Sequence, residues 1–334
     1  MARILFVVLD STKPSTRLRM LPLAAALRRA GHATTLSKVP TTVTGRLALL
    51  AVARRHDCIV LQKKLFPVSY SRLLKMANPR IVFDVDDAVM FHELERSETV
   101  RGKFFVRFMA IAAASQQVVA GNRFLAEFAS AARPADDKGV AVMPTPVDTS
   151  RMPAKSCHTS SHRITIGWIG TKGNLQQLVP LRGILSQLAQ EFPQMQLRIV
   201  ADASIEIPGV PLDFKPWSAE EEITDLHGFD IGIMPLADTL WSRGKGGYKL
   251  LQYMAAGLPA VASPVGINND ILRHGENGLL AATAAEWYTC LRDLLADAGL
   301  RERLGRAARK TAESDYSLDE YLRRYAALIE DSLQ

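Results

Sequence analysis

Residues Trp241 to Gly266 read Trp-Ser-Arg-Gly-Lys-Gly-Gly-Tyr-Lys-Leu-Leu-Gln-Tyr-Met-Ala-Ala-Gly-Leu-Pro-Ala-Val-Ala-Ser-Pro-Val-Gly, and the run closes with Gly275-Glu-Asn-Gly-Leu-Leu280. A glycine-rich turn carries three cations, Arg243, Lys245 and Lys249. Tyr248, Leu251, Gln252 and Ala255 fall at three-to-four spacing, which predicts a helix after the turn. Gly257 is placed to stop it, with Pro259 just beyond. Ala260 to Ala262 then reads as a short buried strand, and Ser263 to Gly266 as the loop at its carboxyl end. Loop, helix, strand, loop sets bare backbone and positive charge at a helix start. Helix amino termini expose unpaired N–H groups and positive dipole, and glycines let a phosphate approach them closely. The reading is a diphosphate seat built from Arg243, Lys245, Lys249 and the amides of Gly246, Gly247 and Tyr248. The same turn also serves as a plain α/β connection, and the residues alone leave both readings open.

A chain of 334 residues is long enough for two ordinary domains. At 48% hydrophobic and 22% charged it has a globular profile, which excludes a disordered or fibrous chain. Cys58, Cys157 and Cys290 are too few and too scattered for a disulfide framework or a zinc cluster, which suits a reducing cytoplasm. Ile4 to Leu9 reads as a first buried strand rather than a signal segment, and no apolar run is long enough to span a bilayer. Charge is uneven. Residues 1–150 hold 22 Lys+Arg against 12 Asp+Glu, net +10, while residues 151–334 hold 19 against 22, net −3. The basic half points to an anionic partner, be it nucleic acid, a membrane surface or a phosphate-bearing molecule, or to a merely solvated surface. No aromatic-plus-basic motif of a nucleic-acid reader appears.

Along the first half, Arg3 to Leu9 is a strand, and the polar loop Asp10 to Met20 leads into a helix that stops at Gly31. Loops at strand carboxyl ends present ligands in α/β sheets, so Ser15, Thr16 and Arg17 are expected to face a cleft. Arg17 also fits an exposed helix-entry charge. Further strands are expected at Ala33–Leu36, Cys58–Leu61, Ile81–Asp84, Gln116–Ala120 and Val140–Met143, with helices at Gly45–His56 and Phe124–Ala132. Strand Ile81–Asp84 ends in Asp84-Val-Asp86-Asp87 and then His92. Acids at a strand's carboxyl end, here Asp86 and Asp87 with His92 beyond, often serve chemistry or bind hydroxyls; they equally fit loop and helix caps, or a hard cation. The basic, aromatic stretch Arg101 to Ala114 suits a membrane interface or a packed core. Prolines from Pro144 onward mark a domain boundary, with a linker to Ser161.

The second half restarts the pattern: strand Ile164–Ile169, the turn Gly170-Thr-Lys-Gly-Asn174, and a helix expected over Leu175–Ala189. Gly170, Thr171 and Lys172 form a second candidate anion site. Strands at Gln196–Val200, Val210–Phe214 and Phe229–Met234 follow, with a helix at Glu220–Leu226. The end, Arg301 to Leu333, is read as helical with a break near Ser314.

The run Lys249 to Ser263 followed by Gly275-Glu-Asn-Gly-Leu-Leu280 resembles the donor-binding region of glycosyltransferase family 4, which has the GT-B fold. Pro144-Thr-Pro-Val-Asp148 is similar to that family's interdomain hinge. The resemblance implies two doubly wound Rossmann-like domains facing across a cleft. An acceptor domain would cover 1–147, a donor domain 148–315, and a carboxyl-terminal helix 316–334 would cross back onto the first. It implies a nucleotide-sugar co-substrate, retention of anomeric configuration, and neither metal nor other cofactor. It also places the nucleobase on the main chain at Met234 and Pro235. Lys172, Lys245 and Lys249 would stabilise the departing diphosphate; Asp86, Asp87 and His92 would contact sugar or acceptor hydroxyls, with Asp87 and His92 acting in catalysis, and Ser15, Thr16 and Arg17 would bind the acceptor. One departure concerns two glutamates that the family carries with seven residues between them: these positions are Gly244 and Gln252 here. Gln252 still offers hydrogen bonds to a ribose, whereas Gly244 cannot replace a carboxylate. The implied activity is transfer from a UDP-sugar, or less readily a GDP-sugar, to a glycolipid, envelope polysaccharide or metabolite hydroxyl. It would take place in the cytoplasm or at the inner membrane face, with no nucleic-acid partner. A sugar-nucleotide epimerase and a non-catalytic sugar-nucleotide-binding module are the alternatives.

Overall fold

The computed structural model describes residues 1–91, 102–155 and 163–334, so His92 and Cys157 lie outside the described residues. The chain divides into two compact units. The first comprises Met1–Pro146, Thr239–Gly246 and Leu318–Gln334; the second comprises Val147–Asp238 and Gly247–Ser317. Arg243, Lys245 and Gly246, which the sequence reading put with the donor loop, therefore belong to the first unit.

The first unit is a six-stranded sheet of β1 (Arg3–Val8), β2 (Ala33–Lys38), β3 (Cys58–Gln62), β4 (Ile81–Val85), β5 (Gln117–Ala120) and β6 (Val140–Val142). All pairings are parallel, in the order β2-β1-β3-β4-β5-β6. The winding reverses between β1 and β3, where such sheets open a crevice at their carboxyl ends. Five helices follow strands of this sheet: α1 (Leu21–Arg29), α2 (Val43–Ala53), α3 (Val68–Ala77), α4 (Lys103–Ala114) and α5 (Arg123–Ala131). Central strands covered on both faces read as continuous apolar runs, which is why β1, β3 and β4 were legible. Leu5, Val7, Ile59, Leu61 and Phe83 face α2 to α5. Ile4, Phe6 and Val60 face Leu23 and Leu27 of α1 and Tyr325 and Ile329 of the last helix, Leu318–Leu333. Helix α3 and the short helix Leu240–Arg243 were not expected. A π-type turn over Thr16–Met20 runs directly into α1, with Pro22 in that helix's first turn as its missing N–H requires.

The second unit is also all parallel: β7 (Ile164–Ile169), β8 (Met195–Ala201), β9 (Leu212–Pro216), β10 (Ile231–Met234), β11 (Ala260–Ala262) and β12 (Leu279–Leu280). The order β12-β11-β10-β7-β8-β9 reverses between β7 and β10, the winding of dinucleotide-binding sheets. The helix expected over Leu175–Ala189 begins instead as 3-10 turns over Lys172–Leu181 and becomes α-helical at Arg182. Pro180 explains the change, because it has no N–H to donate and its ring crowds the preceding turn.

Candidate functional site

In the second unit, Gly170 follows β7 at the reversal point. Its amide donates to the Val200 carbonyl (3.0 Å). A Cβ at Gly170 would lie 2.5 Å from the Trp168 indole and 3.0 Å from Lys249 Cε, so only glycine fits. Lys249 reaches over Trp168 with Nζ 4.6 Å from a ring centroid. Trp168 is itself buried. The ring thus holds the ammonium beside the glycine turn by a cation–π contact, and two residues 79 positions apart in sequence, Gly170 and Lys249, come together. Helix Tyr248–Ala255 starts from Gly247 in the left-handed region (φ +66°), where a Cβ would also press on Ile267 and Ile271. Lys172 is exposed at the head of its 3-10 segment, and its amide donates to the Asp202 carboxylate. Thr171 accepts from Asn174 Nδ2 through its hydroxyl (3.1 Å).

A cavity of about 420 Å³ opens at the carboxyl ends of β10 and β11, with Gln177, Pro235, Leu236, Ser263 and Trp287 in its wall. That volume lies within the usual range of small-molecule pockets. The segment after β10 is fixed from the side: the Leu236 amide donates to Ser263 Oγ (2.9 Å) and the Ala237 amide to Gln177 Oε1 (3.0 Å). Pro235 lines the cavity. Met234, assigned with it, is buried and its carbonyl accepts from the Ser263 amide, so Met234 supports the wall from behind. Gln252 is buried within its helix.

In the first unit, the acids after β4 split by burial. Asp84 is fully buried and takes a fork from Arg19: Nε to Oδ1 at 3.0 Å and Nη2 to Oδ2 at 2.6 Å. Arg19 also donates to the Met143 carbonyl (2.9 Å), and the Tyr325 hydroxyl donates to Asp84 Oδ2 (3.1 Å). Burial works to lower the Arg19 pKa, and the Asp84 carboxylate overrides it and raises it. This ionic knot is scaffold. Asp86 and Asp87 sit further out and meet Lys63, whose Nζ is 2.9 Å from Asp86 Oδ1 and 3.9 Å from Asp87 Oδ2. The Lys63 backbone has φ 31°, in the left-handed region, with its amide on the Asp84 carbonyl (2.7 Å). That posture swings its ammonium toward the acids and supplies the positive charge that a cation would bring. Burial, and after it the Asp86 charge, push the Asp87 carboxyl up to about 6, while Lys63 and Lys245 pull the other way. Lys245 thus acts electrostatically on Asp87 within this unit.

Three glycine positions let this cluster close. Gly121 and Gly246 abut the Asp86 backbone, and a Cβ at Gly244 would sit 2.3 Å from Ala88 Cβ and 3.1 Å from its Cα. Asn122 caps α5 through Oδ1 to the Leu125 amide (2.9 Å) and donates Nδ2 to the carbonyls of Arg243 (3.3 Å) and Lys245 (3.0 Å). Thr16 does not face outward as expected: it is buried, and its hydroxyl donates to Gln62 Oε1 (2.8 Å). Ser15 is at the edge of burial, and Arg17 is half-buried. The structure therefore gathers Asp86 and Asp87 around Lys63, with Lys245 acting on Asp87, and Gly170 with Lys249 around Trp168. Lys63, Trp168 and Asn122 went unassigned in the sequence. Lys63 alone had a signal, a cation directly after a buried strand. Cys58 and Cys290 are buried, and burial pushes their thiols up to about 12 and about 11, so neither is a nucleophile. Among the described residues, no group of three or more His, Cys, Asp or Glu side chains gathers to hold a metal ion.

Residues 165–297 match the family model described as "Glycosyl transferases group 1". Solved structures align along nearly the whole chain. The Anabaena protein Alr3699/HepE, solved in complex with UDP and glucose, shares 14% identity over 99% of this chain and 100% of its own, with a TM-score of 0.76. A glycosyltransferase from Rickettsia africae shares 14% over 99% and 98% (TM-score 0.76). Sucrose-phosphate synthase from Thermosynechococcus elongatus shares 12% over 99% and 99% (TM-score 0.72). No curated protein matches. The fold is GT-B, and with the group 1 domain the chain is a glycosyltransferase.

Proposed function

We propose that this glycosyltransferase takes a sugar from a nucleoside diphosphate sugar, UDP-sugar in preference to GDP-sugar, and transfers it with retention and without a metal. The acceptor is a hydroxyl of a glycolipid, envelope polysaccharide or metabolite, met in the cytoplasm or at the inner membrane face. The observation that carries the reading is the reversal point of the second sheet. There Lys249 is held on Trp168 beside Gly170, and the cavity bounded by Pro235, Ser263 and Trp287 follows the neighbouring strands. In this reading the cavity takes the nucleoside. Lys249, Lys172 and the amides of Gly247 and Tyr248 meet the diphosphate. Negative charge grows on the β-phosphate as the sugar leaves, and preset cations and dipoles stabilise it without reorganising. The leaving phosphate itself accepts the acceptor proton. In the first unit, Asp86 and Asp87, held by Lys63 and Lys245, take acceptor hydroxyls. HepE was solved with UDP and with UDP-glucose, which favours uridine here.

A thermal-shift series with UDP, GDP, ADP and their sugars tests the donor assignment. UDP and UDP-sugars are expected to raise the melting temperature most, and a flat response to all of them sinks it. One observation favours a second reading. Gly244 has no room for the carboxylate that related enzymes set against the donor sugar. That keeps an epimerase or a non-catalytic donor-binding module in play, and product analysis separates them: transferred sugar, altered nucleotide sugar, or neither.

A further inference from the structure

The solvent side of α2, α3 and α4 has an uncommon composition. The three helices are neighbours on one face of the first sheet, with α3 packed on both α2 and α4. Inward positions fill the core through Leu49 and Ala53, Tyr70 and Leu74, Phe108 and Ile111. Outward positions of a helix facing water are ordinarily polar. Here they include Val43 and Leu47, Leu73 and Met76, and Val106, which are 71%, 59%, 45%, 79% and 50% exposed. Half of the ten large apolar side chains exposed among the described residues thus fall on three adjoining helices, a patch rather than a scatter. On α3 the outward residues Ser69, Arg72, Leu73 and Met76 follow the helical repeat.

Among the described residues of these three helices the charge has one sign. The three helices carry Arg46, Arg72, Lys75, Lys103 and Arg107 and not one Asp or Glu. Residues 41–80 hold eight Lys+Arg against Asp57 alone. Arg72 and Lys75 are exposed and pair with no acid among the described residues. A groove of about 590 Å³ between α3 and α4 is lined by Val68, Met76, Ala110 and Ala113 together with those two cations.

We propose that this face docks on an anionic lipid bilayer, with Val43, Leu47, Leu73, Met76 and Val106 entering the headgroup–acyl boundary and Arg72 and Lys75 meeting lipid phosphates. The partner has to be apolar and anionic at once, and a bilayer with anionic lipid is both. Nucleic acid supplies the charge but no apolar surface for Leu47 and Met76. A second copy docked by this same face would set Arg72 and Lys75 against their own counterparts, with no acid on these helices to relieve them. Among the described residues no helix is long and apolar enough to cross a membrane. The assignment deepens the membrane-face part of the proposed function and rests on that reading for the acceptor's location, while the surface is separate from the donor site.

The full chain is tested by co-sedimentation with vesicles of phosphatidylcholine alone and with about one-third phosphatidylglycerol added, a content that gives the surface a negative potential. Binding is expected on the anionic vesicles only and should fall with added salt. Arg72→Gln/Lys75→Gln should weaken it about 25-fold, from about fivefold per cation near such a surface. Leu73→Ser/Met76→Ser should weaken it comparably, with melting temperature and UDP-induced shift unchanged. The proposal is overturned if wild type stays in the supernatant at low salt, binds neutral vesicles equally, or is matched by both double variants. It is also overturned if the chain self-associates and Leu73→Ser/Met76→Ser abolishes that, which would give the face to a second copy. Loss of vesicle binding with an intact UDP shift leaves the donor reading standing, and the reverse result leaves the surface standing.

Discussion

Replacing Lys249 by methionine removes one positive charge and keeps a stem of similar length over Trp168. Two effects separate by size. The cation–π contact at 4.6 Å is lost, which costs about 0.5–1 kcal/mol of folding stability at a partly exposed site. At the diphosphate, a charge-assisted hydrogen bond is lost, and such bonds contribute about 1.5–3 kcal/mol. With ~1.4 kcal/mol per decade, UDP should bind roughly 10- to 100-fold more weakly. Lys249→Arg restores a cation that also stacks on indole, so it should recover most of the affinity. Isothermal titration of UDP measures the affinity, and thermal unfolding without ligand measures the stability. If Lys249→Met binds UDP within twofold of wild type, or costs more in folding than in binding, Lys249 is a prop for Trp168 and the diphosphate seat is misplaced.

The Asp87 carboxyl, raised from 3.8 to about 6, holds a proton in the folded state that the unfolded chain has already lost. Stability should therefore fall as pH rises through that window, by about 1 kcal/mol once solvent screening of a side chain one-third exposed is allowed for. Asp87→Asn should flatten that slope; an unchanged slope in denaturant titrations would clear Asp87 of it. If the ionised carboxylate receives the acceptor hydroxyl, kcat/KM should also drop below pH about 6 in wild type, and that limb should vanish in Asp87→Asn. Gly244→Glu should destabilise by about 1–3 kcal/mol, because its Cβ meets Ala88 before the carboxylate finds a place. An unshifted melting temperature would show that the Ala88 loop yields. Tyr325→Phe removes the third donor to buried Asp84 and should cost about 1–3 kcal/mol in urea unfolding, and a neutral result would mean that Arg19 alone satisfies the carboxylate.

Much of the fold could be read from the sequence because its strands are buried on both faces. Ile4 to Val8, Cys58 to Leu61 and Ile164 to Ile169 are apolar at nearly every position, and that density marks a parallel sheet. Helix α3 went unread because Pro67 and the polar residues Ser69, Ser71 and Arg72 blur its start. The 3-10 turns before Arg182 trace to Pro180, whose breaking effect is visible in sequence though its outcome is not. At the candidate site, glycines and lysines were legible as types. Their grouping was not, since the assignment of Lys245 to the first unit depends on Asn122, some 120 residues earlier, holding the 243–245 backbone. Trp168 gave no signal, because a tryptophan in a buried strand looks like core until a lysine from another element lies on it.

The first unit takes residues from before and after the 147–317 stretch, and 239–246 within it, while the second is drawn from the rest of that stretch. During synthesis from the amino terminus, every strand of the second sheet has been made before residue 318 is added. Until Tyr321 to Ile329 arrive, the Arg19–Asp84 pair lacks its Tyr325 cover, and the Ile4, Phe6 and Val60 side of the first sheet lacks part of its lid. Domains generally fold as they are made, first-made first. Here the unit begun earlier is completed later, so a chain cut short before Leu318 would carry every element of the second unit and an unsealed first unit.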